Sequence, residues 1–280
     1  MKNIFTIDCE EWFHGAGVPI SARATLRRSV ERNTHLLLEL LVTHSTTATF
    51  FTLADVAQEY PNLIKAISNA GHEVASHGYQ HQFVYRLTPQ EFTHTVQYSK
   101  QLLQDITGKP VLGYRAPYFS VTRQSLWALD ILAECGYTYD ASIAPIRNHR
   151  YGIPNTPLMP YVVQTKKNTL LELPITPHSV LGGSALHGGF YLRTFPLGFT
   201  ASSIQSLNNH GKRCILYIHP WELTNYTPDA PYSSRFLRWR MQHNITSTHR
   251  KLNALLQTFS FCSIRDVLVE LQQTASIIHL

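Results

Sequence analysis

The sequence lacks a long hydrophobic run. No window of about 20 consecutive apolar residues is present, and the first residues, Met1-Lys2-Asn3-Ile4, reach Asp8 without the apolar core of a secretory leader. We therefore expect neither a membrane-spanning helix nor a cleaved leader. The expected location is the cytoplasm, and the sequence leaves peripheral contact with the inner membrane open.

Cysteine pairs with metal-binding or redox spacing are also absent. Cys9, Cys135, Cys214 and Cys262 are scattered along the chain and form no CxxC motif. Three of these four cysteines lie in apolar segments, a setting typical of reduced, buried thiols. The pattern indicates a reducing compartment and does not support a disulfide-rich secreted fold.

Charged residues are few, and no dense basic run occurs. They make up 15% of the 280 residues, and the formal net charge is +6. Basic stripes mark nucleic-acid grooves, so we expect no nucleic-acid partner. The mildly basic balance is compatible with acidic glycans, phosphates or membrane surfaces. Arg235, Arg238 and Arg240 are candidate contacts for such a partner, although a solvated helix face is the simpler interpretation.

The sequence does contain a regular alternation of short β-rich runs and helical patterns. Strands are predicted at residues 4–8, 47–52, 72–75, 111–115, 137–140, 161–165, 169–175, 213–219 and 259–263. Helices are predicted between most of these strands, and one long helix is predicted over 234–257. Such alternation predicts a mostly parallel α/β sheet or barrel. Because no internal repeat or linker interrupts it, residues 1–280 are expected to form one domain.

Polar side chains collect at the ends of the predicted strands. His77 and His81 are four residues apart, so one turn of chain can bring both imidazoles to the same side. The carboxyl ends of parallel strands meet at one edge of the sheet. We therefore expect a single site built from Asp8, Glu10, His77, His81, Arg115, Asp140 and His219.

Two imidazoles and one carboxylate form a donor set typical of hydrolytic metal sites. A second carboxylate can accept a proton from the attacking water, and a separate histidine can protonate the leaving group. The histidine pair alone is weak evidence, because a chain with 15 histidines contains about one HxxxH pair by chance. The histidine pair supports a metal site because polar residues also follow the predicted strands before and after it in the sequence.

Five short segments also follow one another in a recognisable order. They are Thr6-Ile7-Asp8-Cys9-Glu10, Ala48-Thr49-Phe50-Phe51, residues 71–81 (GHEVASHGYQH), Arg115-Ala116-Pro117-Tyr118 and Leu216-Tyr217-Ile218-His219-Pro220. In this order they resemble the motifs of NodB-type polysaccharide deacetylases, carbohydrate esterase family 4. Residues 146–152, 188–191 and 219–223 are similar to the branch found in exopolysaccharide and exosortase loci, in which residues 223–280 correspond to a C-terminal extension packed on the barrel.

The resemblance implies an α/β fold, a distorted seven-stranded (β/α) barrel, that removes acetyl groups from N-acetylated sugars. It implies that Asp8 is the general base and that His219 is the general acid. It further implies that Arg115 orients the base and that Asp140 tunes the pKa of His219. The backbone N–H at Tyr118 is expected to help bind the oxyanion.

The resemblance also implies a divalent metal, most commonly zinc, bound by His77, His81 and a carboxylate. The family usually has two adjacent aspartates where this chain has Asp8-Cys9-Glu10-Glu11. By the resemblance, Glu10 stands at the position of the family's metal-binding carboxylate and is the expected third ligand, and Glu11 is the alternative carboxylate. Separately, Trp221 and Tyr191 are candidates for a sugar-stacking wall, with core packing as the competing interpretation.

Three functions remain open at this point. The first is a metal-dependent N-deacetylase acting on an N-acetylated glycan or a lipid-linked oligosaccharide. The second is an amidohydrolase for cyclic amides or imides, which some relatives of this fold catalyse. The third is a non-catalytic glycan-binding or assembly protein, suggested by the altered Glu10-Glu11 segment. The sugar, its linkage, the metal loaded in the cell and the oligomeric state are not specified by the sequence.

Overall fold

The first strand, β1, shows why the chain folds around a sheet covered on both faces. All seven of its residues, Asn3–Cys9, are buried. Phe5, Ile7 and Cys9 join the hydrophobic cluster beneath the helices, whereas Ile4 joins the cluster on the opposite, inner face. Because side chains alternate along a strand, Asp8 lies on the inner face with Ile4.

The computed structural model describes residues 1–16, 18–26, 28–148, 150–180, 183–224 and 234–280. The strands after β1 are β2 (Thr49–Thr52), β3 (Glu73–Ser76), β4 (Gly113–Tyr114), β5 (Tyr139–Asp140), β6 (Tyr161–Gln164), β7 (Thr169–Glu172), β8 (Pro177–Val180), β9 (Gly183–Leu186), β10 (Ile215–Ile218), β11 (Phe261–Cys262) and β12 (Ser276–Ile278). Of residues 178–180 and 183–185 only the backbone is described.

The helices surround the sheet and follow most of the strands. They are α1 (Trp12–Gly15), α2 (Ile20–Arg23), α3 (Val30–Thr43), α4 (Ala54–Glu59), α5 (Pro61–Asn69), α6 (Pro89–Thr107), α7 (Trp127–Glu134), α8 (Gly189–Thr194), α9 (Leu197–Asn209), α10 (Arg235–Gln242), α11 (Ser247–Thr258) and α12 (Leu268–Thr274). Within the described ranges, none of them is both long and apolar enough to cross a membrane.

Seven strands pair side by side in parallel, in the order β10-β1-β2-β3-β4-β5-β7. The two ends of this row approach each other. Tyr217 in β10 donates its backbone N–H to the carbonyl of His187 at 3.0 Å, and Ile215 N donates to Thr176 Oγ1 at 3.2 Å. The prediction of an α/β fold with a barrel-like arrangement is therefore confirmed.

The C-terminal residues join the same sheet and the same mouth of the barrel. Strand β11 pairs in parallel with β1, with Asn3 opposite Phe261. A separate apolar cluster joins Trp12 and Phe13 of α1 to Trp221, Met241 and Ile245. The N-terminal and C-terminal parts of the chain therefore pack against each other beside the strand ends that carry the polar residues.

The prediction of one long helix over 234–257 is wrong, because the structure has two helices, α10 and α11, with a break between them. Asn244 in the break adopts a left-handed conformation with φ 52°, and its Nδ2 donates to the carbonyl of Arg193 at 2.6 Å. The side chain of Arg193 in turn donates to the carbonyls of Arg240, Met241 and His243. These tertiary hydrogen bonds satisfy the last carbonyls of α10, and the local sequence contains no signal that predicts them.

Closure of the barrel beside β10 depends on Gly188, and replacing it with alanine should destabilise the fold. The backbone of Gly188 has φ +135° and pairs with Tyr217. A Cβ there would lie 1.8 Å from the carbonyl oxygen of Tyr217, a backbone atom that cannot rotate away. We expect Gly188→Ala to lower the free energy of unfolding by about 2–4 kcal/mol, measured by urea denaturation.

The matched control is Gly198→Ala in α9, where a Cβ meets nothing within 4 Å. Alanine is favoured over glycine in a helix by about 0.5–1 kcal/mol, so this variant should be as stable as the natural protein or slightly more so. Equal stability of the two variants would contradict the importance of the close approach at Gly188.

Candidate active site

The structure brings the predicted polar residues together at the carboxyl ends of the parallel strands. Asp8 lies in β1 and Glu10 just beyond it, while His77, Arg115 and His219 directly follow β3, β4 and β10. The first four of these are buried, and His219 remains partly exposed. His219 is therefore the member of this group that a ligand in the opening can reach most easily.

A candidate metal site is formed by Glu10, His77 and His81. One ligand atom from each residue lies within 4.8 Å of the other two. His81 Nε2 is 2.7 Å from Glu10 Oε2, and His77 Nε2 is 3.9 Å from the same oxygen. His77 Nδ1 lies 2.7 Å from the carbonyl of Arg115, which identifies Nδ1 as the donor and leaves Nε2 free to bind a metal.

The two histidines are joined by a left-handed turn and not by a helical one. Gln80 and His81 both have positive φ, at 58° and 54°. Neither residue is glycine, so this conformation carries backbone strain of a kind often found at functional sites. The turn brings His81 back toward Glu10. The two imidazoles therefore converge as their four-residue spacing predicts, but through a left-handed turn and not through one turn of helix.

The charges around these three residues suit a divalent cation. Burial raises the pKa of Glu10, and its ion-pair neighbours in the described part of the chain are the imidazoles of His77, His81 and His219. Burial lowers the pKa of His77 and His81, which favours the neutral imidazole that binds metals. A buried carboxylate beside neutral imidazoles needs a compensating positive charge, and a metal ion supplies one.

Glu11 has a different role and does not belong to the candidate ligand set. Its two carboxylate oxygens accept hydrogen bonds from the backbone N–H groups of Ser29 and Val30, at 2.8–3.0 Å, and from the hydroxyl of Ser29 at 3.3 Å. These N–H groups lie at the beginning of α3, where a helix leaves its donors unpaired and favours a negative charge. The alternative carboxylate of the sequence analysis is thus the cap of a helix.

Asp8 is held by a buried ion pair with Arg115. Asp8 Oδ1 lies 2.7 Å from Arg115 Nη1, and the same nitrogen donates to Thr6 Oγ1 at 2.9 Å. The guanidinium lies 4.1 Å from the ring of Phe51. Burial acts to raise the pKa of Asp8, but the positive charge of Arg115, with those of nearby histidines, brings that pKa below its ordinary value. Asp8 is therefore an ionised carboxylate with a fixed orientation.

His219 lies between the acidic groups of the site and a second carboxylate behind it. Its Nε2 is 4.0 Å from Asp8 Oδ2 and 3.7 Å from Glu10 Oε1. Its Nδ1 is 3.2 Å from Glu222 Oε2, and Glu222 Oε1 forms a buried ion pair with Arg193. Burial lowers the pKa of His219, and the charges of Glu10 and Asp8 oppose that effect.

Glu222 is the functional candidate that sequence reasoning missed, although it lies within residues 219–223, one of the segments similar to the exopolysaccharide branch. The spacing of three residues was the available signal. His219 and Glu222 close a short 3₁₀ turn in which Glu222 Oε2 also accepts the backbone N–H of His219 at 3.1 Å. This turn fixes the carboxylate beside the imidazole.

Asp140 is buried at a different place from the one expected. Its Oδ1 accepts a hydrogen bond from Ser142 Oγ at 2.5 Å, and Glu172 is its other acidic neighbour. Burial raises the pKa of Asp140 to about 6 and that of Glu172 well above its usual range. Both carboxyl groups lie near Arg115, and the carboxylate at His219 Nδ1 is that of Glu222.

The three residues predicted to face a substrate line one cavity with the groups above. It has a volume of about 620 Å³, and its lining includes Tyr118, Tyr191 and Trp221. Tyr118 has a left-handed backbone with φ 57°, and its ring packs edge-on against His81 at 4.2 Å. Trp221 stacks on His219 with 5.3 Å between ring centres.

The comparison with protein families divides the chain near β5. Residues 25–139 match the family described as polysaccharide deacetylase, and residues 141–269 match a domain of unknown function, DUF3473. Each of the two matches covers less than half of the chain, and we refer to residues 25–139 as the deacetylase segment and to residues 141–269 as the DUF3473 segment. The candidate site draws on both, because His77, His81 and Arg115 lie in the deacetylase segment whereas His219 and Glu222 lie in the DUF3473 segment.

The curated relatives match about a third of this chain. The chain is 30% identical over 95 residues to a peptidoglycan-N-acetylglucosamine deacetylase from Bacillus cereus, covering 34% of each chain. It is 31% identical over 107 residues to a peptidoglycan deacetylase from Helicobacter pylori, covering 38% of this chain and 36% of that one. The chain thus spans about a third of the length of these relatives.

Solved structures share the fold over nearly the whole chain. A Mycobacterium smegmatis protein classed with the polysaccharide deacetylases has a TM-score of 0.65 at 18% identity, covering 99% of this chain and 92% of that one. The allantoinase PuuE has a TM-score of 0.61 at 16% identity, covering 97% and 90%. At such identities the likeness establishes the fold, and the fold is common to proteins with different activities.

Glu10 and Glu11 should differ sharply in what their replacement does. We expect Glu10→Gln to weaken zinc binding by about 100-fold, since it removes the charged ligand of the triad. Glu11→Gln should leave zinc affinity within about threefold and lower the free energy of unfolding by about 1–2 kcal/mol through the loss of a helix cap. Calorimetric titration of zinc into chelator-treated protein and urea denaturation measure the two effects. A comparable loss of zinc affinity in both variants would contradict this division of roles.

Proposed function

We propose that this protein is a metal-dependent hydrolase that removes acetyl groups from N-acetylated sugars of a polysaccharide. The observation that carries the proposal is that the Glu10, His77 and His81 triad lines one cavity with His219 and with Asp8, whose carboxylate is paired with Arg115. A metal triad, an oriented base and a separate acid are the three parts that amide hydrolysis needs. The family match over residues 25–139 supports the same class of reaction.

A divalent ion held by Glu10, His77 and His81 would make a water molecule more acidic and polarise the acetyl carbonyl. Asp8 accepts a proton from that water as oxygen adds to the acetyl carbon. Arg115 keeps Asp8 ionised and oriented for this task. His219, charged at this stage, then donates a proton to the sugar nitrogen as the carbon–nitrogen bond breaks, so that acetate and a free amine leave. Tyr118 offers its backbone N–H from a strained turn beside His81 to the developing oxyanion.

In this mechanism Glu222, and not Asp140, orients the imidazole of His219. Its carboxylate accepts the Nδ1 proton at 3.2 Å and so directs Nε2 toward Asp8 and Glu10. Arg193 neutralises the other oxygen of Glu222. Asp140 and Glu172 support the site from behind Arg115, because Ser142 bonded to Asp140 also accepts the backbone N–H of Ala116.

We also propose finer features of the reaction. Zinc is the proposed metal, because a set of two imidazoles and one carboxylate with open positions is common in catalytic zinc sites. The proposed substrate is an exopolysaccharide or its lipid-linked precursor, with Trp221 and Tyr191 contacting the sugar. The four free cysteines fit a reducing compartment such as the cytoplasm.

The first test is release of acetate from N-acetylated oligosaccharides by the metal-loaded protein. Asp8→Asn keeps the shape of the side chain but removes the base, so kcat should fall by about 100-fold or more, and chelation should abolish turnover. Asp105→Asn, at an exposed position of α6, is the control and should retain full activity. Turnover of cyclic imides with no acetate release from any N-acetylated sugar would instead support an amidohydrolase. Absence of both metal binding and turnover would support a non-catalytic glycan-binding protein.

The second test separates Glu222 from Asp140. Glu222→Gln should lower kcat by about 10–100-fold with little change in KM, because it affects proton donation and not ground-state binding. Removing the negative charge also lowers the pKa of His219, so the alkaline limb of the activity profile should move to lower pH. Glu222→Asp should restore part of the rate.

Asp140→Asn is the matched comparison, since it changes a buried carboxyl group that does not contact His219. It should leave the alkaline limb in place. A shift of that limb in Asp140→Asn but not in Glu222→Gln would assign the orienting role to Asp140 after all.

A further inference from the structure

The cavity extends outward from the catalytic groups along a wall that the mechanism does not use. Phe190 of α8 and Trp239 of α10 meet with 6.0 Å between their ring centres, and Phe236 lies 5.8 Å from Trp239. All three line the cavity. Phe236 is 69% exposed and Trp239 is 49% exposed. We call Phe190, Phe236, Trp239 and Arg240 the aromatic rim.

The charges of the cavity are separated by depth. Its lining carboxylates among the described residues are Asp8, Glu10 and Glu222, which belong to the catalytic groups. The outer lining contributes two cations, Arg150 and Arg240, and the guanidinium of Arg240 lies 5.3 Å from the ring of Phe190. No described carboxylate of the outer lining neutralises these two arginines. A ligand that leaves the catalytic groups along this wall therefore meets exposed rings and positive charge.

We propose that the aromatic rim binds the sugars that flank the reactive residue in an acidic, uronate-containing glycan chain. Sugar rings present flat C–H faces that pack on aromatic side chains, and arginine pairs well with carboxylates in two-pronged hydrogen bonds. The combination of both on the outer wall fits an oligosaccharide with carboxylates near the acetylated residue. This inference rests on the proposed deacetylase function and gives it a substrate class.

A membrane surface is the other partner that a short helix rich in arginine and aromatic residues can suggest. The position of the side chains favours the glycan. Arg240 and Trp239 line the cavity, whereas Arg238, which is also exposed and on the same helix, does not. Lipid headgroups would use Arg238 as well as Arg240, but a glycan chain in the cavity would use Arg240 alone.

The test compares these two arginines on an acidic and a neutral substrate of the same length. The probes are the hyaluronan hexasaccharide, in which glucuronate alternates with N-acetylglucosamine, and neutral chitohexaose. We expect Arg240→Gln to raise the ratio of the KM for the hyaluronan hexasaccharide to that for chitohexaose about fivefold, because the variant removes one charged contact. Arg238→Gln should leave this ratio unchanged. Trp239→Ala should raise the KM for both substrates about fivefold through lost stacking.

Failure of this inference can be told apart from failure of the proposed function by a binding experiment without acetyl groups. Calorimetry with hexamannuronate, an acidic oligosaccharide, and with neutral cellohexaose tests the rim whether or not acetate is released. Tighter binding of hexamannuronate that is weakened by Arg240→Gln but not by Arg238→Gln supports the proposal. Equal affinity for both probes overturns it. A second set of results also overturns the proposal, in favour of a membrane surface. In it, both arginine variants lose binding to vesicles of phosphatidylcholine with phosphatidylglycerol to the same extent, and neither variant changes the affinity for either oligosaccharide.

Discussion

The site depends on the buried ion pair between Arg115 and Asp8. The side chain of Arg115 holds the carboxylate of Asp8 at 2.7 Å, and its backbone carbonyl holds His77 Nδ1 at the same distance. One residue thus fixes the orientation of the proposed base and of a proposed metal ligand. Removing one partner of a buried ion pair typically costs about 3–5 kcal/mol, because the other charge is left unpaired. The base and the triad are therefore coupled through a single turn after β4.

The C-terminal half of the chain completes the site from the opposite side. Arg193 in α8 takes the carbonyls at the end of α10 and pairs with Glu222, which contacts His219. Lys251 of α11 donates to the carbonyls of Leu192 and Arg193 and so holds the C-terminal end of α8. The break between α10 and α11, the position of α8 and the orientation of the imidazole are consequences of one set of buried polar contacts. This gives the DUF3473 segment a physical role beside the deacetylase segment.

The sequence was most informative where chemistry and chain direction coincide. Asp8, His77, Arg115 and His219 each lie at or directly after a short apolar run, and parallel strands bring such positions to one edge. It was least informative where a contact joins distant segments. Nothing near Glu11 shows that its carboxylate reaches Ser29 at the beginning of α3, and nothing near Asp140 shows that Glu172 is its acidic neighbour. Two adjacent glutamates are indistinguishable in sequence, and only the backbone geometry after β1 separates a helix cap from a metal ligand.

The turns of the site hold its groups in place before any ligand arrives. Gln80 and His81 on one side, and Tyr118 and Phe119 on the other, are non-glycine residues with positive φ, a conformation that the surrounding packing must stabilise. Two contacts hold the side chain of Tyr118 in place. Its ring stacks on Phe83 with 4.1 Å between ring centres, and its hydroxyl donates a hydrogen bond to the carbonyl of His14. His81 packs edge-on against the same ring. The two strained turns therefore stabilise each other, and the position of the triad relative to the proposed oxyanion donor follows from their mutual packing.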